Sequence, residues 1–130
     1  MLPPRPLPAE TIEGLFPPMP NFHYFAHADV LRFQPTARQN GGFPDVNAWW
    51  LADASLLTYG DATYIHDQIS RSPLPGLGFS IDWIRDGDDV RGIVLGAAEA
   101  LVVAFRGTKV EFPGASGSDV SNVVDMILGN

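Results

Sequence analysis

The sequence predicts a mixed α/β domain in which two helices precede a small antiparallel sheet. Three observations carry that expectation. Val46, Trp49, Trp50, Leu56 and Leu57 recur at helical intervals behind a Pro44-Asp45 start signal. Three strand-like runs, 79–84, 90–97 and 100–105, then follow one another with short turns between them. The last run, Leu101-Val102-Val103-Ala104-Phe105, is continuously apolar and stops at Arg106-Gly107-Thr108. A run of that kind suits a strand buried on both faces, delivering a corner to the carboxyl end of a sheet.

Residues 1–44 form a proline-rich arm ahead of the domain at 45–130. Pro3, Pro4, Pro6, Pro8, Pro17, Pro18, Pro20, Pro35 and Pro44 deny the arm a long helix or a central strand. Its aromatic residues, Phe16, Phe22, Tyr24, Phe25, Phe33 and Phe43, point to an extended segment pinned on a globular body. A proline-rich ligand for a partner's groove is the sharper alternative. His23 and His27 stand four apart with Asp29 close behind, a spacing that on a helix could serve a metal. The surrounding prolines argue against a helix, and ordinary packing and surface roles are expected; no metal site is assigned.

The helix that opens at Asp45 stays slim through Ala48, Ala52 and Ala54, and Tyr59-Gly60-Asp61 offers it a stop. The Trp49-Trp50 pair is expected in the core. A second helix spans about 62–70, with Ile65 and Ile69 one turn apart and His66 on its surface. Residues 72–78, SPLPGLG, break the chain. Arg85-Asp86-Gly87-Asp88-Asp89 lacks the alternating acids and distal glutamate of a calcium loop. A hairpin turn built on Asp-Gly is expected there. Beyond Thr108, residues 109–118 read as a loop. Asp119 or Ser121 then caps a final helix carrying Val120, Val123, Val124, Ile127 and Leu128. Gly114, Ser116 and Ser118 approximate G-x-S-x-G without its last glycine, so Ser116 makes a poor nucleophile.

Bulk properties narrow the function classes. The 130 residues carry 8 basic and 15 acidic side chains, a net charge of −7, with 45% hydrophobic content. An acidic chain without clustered Lys or Arg does not suit nucleic acid or an anionic membrane. The absence of cysteine excludes disulfides and thiolate metal sites. No signal peptide or transmembrane stretch is evident, which makes a cytoplasmic location the default expectation.

Asn47-Ala48-Trp49-Trp50-Leu51-Ala52, then Ser55-Leu56-Leu57, and above all Val102-Val103-Ala104-Phe105-Arg106-Gly107-Thr108 resemble the amino-terminal half of class 3 lipases. These are the fungal-lipase-like branch of the α/β-hydrolases, and the resemblance covers roughly 44–130. It implies the amino-terminal part of an α/β-hydrolase fold with its sheet incomplete. It further implies a parent enzyme that hydrolyses carboxylic esters, acylglycerols among them, without a cofactor. Thr108 would help form the oxyanion hole, with Gly107 admitting a close backbone approach and Arg106 anchoring the corner. Residues 109–128 would correspond to the lid loop and helix, although Asn122 stands where the family usually has tryptophan.

The family's G-H-S-L-G segment and its aspartate and histidine have no counterpart here. His23, His27 and His66 all precede the oxyanion strand, against the Ser, Asp or Glu, His order of the triad. The expectation is therefore an amino-terminal piece of a lipase-like hydrolase that is inactive alone. It would be prone to self-association through an uncovered strand edge. Two alternatives accompany it: a free-standing non-catalytic interaction module, and a small hydrolase or metal-binding protein using His23, His27 and nearby acids.

Overall fold

The computed structural model describes residues 22–35 and 42–107. Two helices, α1 (Asp45–Leu57) and α2 (Ala62–Arg71), lead through a 3₁₀ turn (Pro75–Leu77) into three strands. These are β1 (Ser80–Asp86), β2 (Asp89–Gly96) and β3 (Leu101–Phe105), paired antiparallel in the order β1-β2-β3. The mixed α/β arrangement agrees with the reading of the sequence.

Each element has a local cause. Asp61 caps α2 by accepting the Tyr64 N–H at 2.8 Å, and Arg71 closes that helix with an ion pair to Asp67 one turn back. The β1–β2 hairpin turns on Gly87 and Asp88, between the paired Asp86 and Asp89. Gly87 has φ +61° and Asp88 does not share the positive sign, the arrangement of a type II′ turn led by glycine. Just past the turn the register shifts between Ile84 and Arg85, leaving Arg91 as the extra residue of a bulge on β2. Leu74, in the proline-broken connection, is wholly buried.

One face of the sheet builds the core. Ile93 and Leu95 of β2 lie opposite Ala104 and Val102 of β3, and all four are buried. They meet Ala54 and Leu57 of α1, Ile65 and Ile69 of α2, and Leu74. On β3 burial alternates: Val102 and Ala104 are inside, while Leu101 and Phe105 are about two-thirds exposed (67% and 68%) and Val103 is 42% exposed. The apolar run therefore has one buried face, not the two expected from its continuity. Among the described residues β3 is an edge strand, with β2 as its one neighbour.

Residues 22–35 are more deeply engaged than a surface arm. Phe22, Tyr24, Phe25, Ala28 and Leu31 are all buried. The segment folds into tight turns, with the His27 carbonyl accepting from Val30 and Leu31. Helix α1 holds it through Asn47, Trp50 and Asp53, spaced three apart along one face. Asn47 exchanges two hydrogen bonds with the Gln34 backbone (2.7 and 2.9 Å), and the Trp50 indole N–H donates to the Leu31 carbonyl at 2.7 Å. The Asp53 carboxylate accepts the Phe25 N–H at 2.8 Å. Phe25 and His27 both sit in the left-handed region (φ 56° and 63°), which costs a non-glycine residue about 1–2 kcal/mol. A charge-assisted bond of the Asp53 kind contributes about 1.5–3 kcal/mol and offsets that strain.

Tyr24 and Tyr64 join the segment to α2, with their hydroxyls 3.1 Å apart. Burial, and then this hydrogen bond, raise the Tyr24 pKa far above its ordinary value. The unfolded chain ionises first, so this contribution is intact below about pH 10 and is lost as pH rises beyond it. Urea midpoints between about pH 8 and 11.5 should fall with a slope that Tyr24→Phe reduces by up to about 1.4 kcal/mol per pH unit. Equal slopes in the two proteins would show that Tyr24 does not titrate with unfolding.

Candidate functional site: the corner after the third strand

The corner Arg106-Gly107 leaves the carboxyl end of β3. Arg106 is fixed in three places. Its backbone N–H donates to the Arg91 carbonyl at 2.7 Å, extending the β2–β3 ladder one residue beyond the strand. Its two terminal nitrogens fork onto the carboxylate of Asp89 at 2.8 and 3.2 Å. The guanidinium side chain is only 8% exposed, whereas Asp89 keeps 42% of its surface. A bidentate fork of this geometry is the arginine contact with the most directional content. The bond to Asp89 raises the Arg106 pKa against the opposing effect of burial, so the guanidinium stays charged throughout the working range of pH.

Asp89 also accepts from Arg91 Nε at 2.9 Å, and Arg91 reaches Asp86 at 3.4 Å. The bulge and the hairpin thus supply the anchor of the corner. Arg106 Nε is buried without a hydrogen-bond partner, which leaves the fork to Asp89 as the main compensation for its burial.

Gly107 is placed under a second constraint. A Cβ at this position would stand 2.6 Å from the Tyr59 hydroxyl oxygen, closer than nonbonded atoms approach. Glycine leaves room for the Tyr59 hydroxyl here, and a larger residue would oblige the tip of that side chain to move. The glycine that the sequence reading reserved for close backbone approach is therefore approached by a side chain of its own chain.

The other candidates are dispersed. Thr108, Ser116 and the loop and final helix read at 109–128 lie outside the described residues. His23, His27 and Asp29 are exposed on the turned segment, and His66 is exposed on α2. Among the described residues no group of three metal-ligating side chains comes together. The acidic run 85–89 forms the hairpin, as read from the sequence.

Asp89 and Tyr59 were not singled out as site residues by the sequence. Asp89 appeared there only as one acid of a turn and Tyr59 only as part of a helix stop. Their involvement depends on pairings between distant residues that no local pattern encodes.

Removing the anchor should matter more than removing its exposed neighbour. Asp89→Ala leaves a nearly buried guanidinium unpaired and should cost about 1–3 kcal/mol, the exposure of the carboxylate holding it below a fully buried pair. Arg91→Ala, which breaks exposed pairs, should cost less than about 1 kcal/mol. Chemical denaturation of both variants checks the order, and an Asp89→Ala loss no larger than that of Arg91→Ala would contradict it.

No protein-family model, curated protein or solved structure compared with the chain matches it.

Proposed function

We propose that the chain is the amino-terminal part of a class 3 lipase-like serine hydrolase, with Thr108 in the oxyanion hole of the complete enzyme. The observation that supports this reading most is the clamped corner. Arg106 is held by a bidentate carboxylate and a backbone bond at the carboxyl end of a strand, two residues before the one that would act. Acyl transfer places negative charge on the former carbonyl oxygen, and donors must be fixed in advance to stabilise it. Arg106 and Gly107 are positioning residues here: one fixes the strand end, and the other permits the tight approach beside Tyr59.

In this reading the carboxylic ester, an acylglycerol among the candidates, is the substrate of the complete enzyme. The attacking serine, the acid and the histidine come from sequence that these residues do not contain. No cofactor is required. An oxyanion hole without a nucleophile does not turn over substrate.

The experiment compares this chain with the product of the reading frame extended beyond codon 130, using p-nitrophenyl butyrate. The 130-residue chain should stay at the buffer rate, and the extended product should hydrolyse the ester. In that product Thr108→Ala should lower kcat by about 10²–10³ with little change in KM. An extended product without a G-x-S-x-G segment, or without esterase activity, would sink the proposal.

The exposed Leu101, Val103 and Phe105 favour a second reading, a free-standing interaction module that pairs through β3. On that reading the chain alone unfolds cooperatively and forms a discrete dimer in size-exclusion chromatography, and Val103→Lys returns it to monomer. A wild-type monomer would remove the basis for this alternative.

A further inference from the structure

A cavity of about 300 Å³ opens at the end of the sheet away from the Arg106-Gly107 corner. Its walls are Phe33 from the turned segment, Trp50 of α1, Leu77 of the 3₁₀ turn, Phe79, and the β2–β3 connection from Ala97 to Ala100. We propose that this cavity binds small carboxylates with an aromatic or branched apolar body, at a site separate from the corner.

Shape and wall chemistry define the body of the ligand. The volume lies at the small end of ligand sites, which suits a fragment-sized molecule. Trp50 lies between Phe33 and Phe79, with ring centroids 5.8 and 5.2 Å from its own and both rings inclined to it. Its indole N–H is already committed to the Leu31 carbonyl and the ring is buried, so Trp50 backs a wall whose apolar surface is presented by the half-buried Phe33 and Phe79. Flat apolar groups are favoured by such tilted and edge-on rings.

The rim defines the head group. Arg32 lines the cavity, and its Nε donates to the Asp29 carbonyl at 3.2 Å. That bond steadies the guanidinium while its two terminal nitrogens make no hydrogen bond or ion pair with other described residues. The N–H groups of Ala98 and Glu99, on the connection that walls the cavity, are likewise without a bond to other described residues. The Arg32 guanidinium and the N–H groups of Ala98 and Glu99, all on the lining of one cavity and unbonded to other described residues, form a donor set that a carboxylate, with two acceptor oxygens, satisfies.

Glu99 is the acid among the lining residues and is exposed. It repels an anion, which gives the test a sign that a merely sticky pocket would not reproduce. The site is also distinct in position. Six residue steps of about 3.4 Å each separate Ala100 from Arg106 along β3, so roughly 20 Å lies between cavity and corner. The inference stands whether or not the lipase-like reading holds.

The experiment titrates the full 130-residue chain, labelled with ¹⁵N, with 4-phenylbutyrate, and repeats the titration with 4-phenylbutanol. The acid should shift the amides of Ala97 to Ala100 and the Trp50 indole, with Kd of about 0.1–1 mM for a ligand of about twelve heavy atoms. The alcohol should bind about tenfold more weakly. Arg32→Gln should weaken the acid about tenfold and leave the alcohol unchanged. Glu99→Gln should tighten the acid two- to threefold, about the relief expected from one exposed like charge.

Both substitutions lie on exposed side chains, and retained amide dispersion verifies the fold of each variant. Equal affinity for acid and alcohol would overturn the proposal. So would shifts that avoid the cavity, no shift up to about 10 mM acid, or weaker binding by Glu99→Gln.

Discussion

Helix α1 buries two polar side chains, Asn47 and Asp53, on the side where a helix of this length usually places only apolar ones. That choice is tolerable because residues 22–35 bring their backbone to meet it. Asn47 takes up the Gln34 amide and carbonyl, Asp53 takes up the Phe25 amide, and Trp50 between them reaches the Leu31 carbonyl. An unsatisfied buried group of this kind costs about 1–3 kcal/mol, and more when it is charged. The helix and the segment therefore depend on one another: the segment supplies backbone partners to Asn47 and Asp53, and they in turn fix its turns. The same contacts seat Phe25 and Phe33 against Trp50, and so place the aromatic wall of the cavity.

The far end of the sheet is organised by charge. Asp89 stands between two arginines, one nearly buried and one exposed, and only the buried one belongs to the corner. A surface ion pair contributes little because water screens it and both side chains lose freedom. Arg106 differs because its position is already set by the backbone bond to Arg91, and its side chain keeps little contact with solvent. The two ends of β3 thus present different chemistry: a clamped cation beside a glycine at one end, and an aromatic hollow with an open guanidinium at the other.

Much of this architecture could be read from residue order. The Pro44-Asp45 start and the Asp-Gly hairpin are local signals, and local signals survive into the fold because their hydrogen bonds are made within a few residues. The three strands were legible from their apolar runs and the short turns between them. What could not be read depended on distant partners. Leu101-Val102-Val103-Ala104-Phe105 suggested burial on both sides, but composition does not reveal how many neighbours a strand has. Nothing local in the sequence marks Asn47 and Asp53 as buried, because their partners lie on the distant segment at 22–35. The left-handed backbone at Phe25 had no signal, since phenylalanine is a poor candidate for it, and only the Asp53 carboxylate accounts for it. At the corner, Arg106 and Gly107 drew attention by their place after an apolar run, whereas Asp89 and Tyr59 became visible only with coordinates.

The bulge next to the β1–β2 hairpin carries a consequence for variation among sequences of this type. Surface hairpins ordinarily accept added or deleted residues with little effect, because nothing else depends on their length. Here Asp89 is both the first residue of β2 after the turn and the counterion of Arg106. One residue gained or lost between Asp89 and Gly92, within β2, would rotate that carboxylate to the opposite side of the ribbon, since successive positions on a strand face opposite ways. That stretch of β2 is thereby length-locked by a residue seventeen positions away, although it adjoins an exposed hairpin.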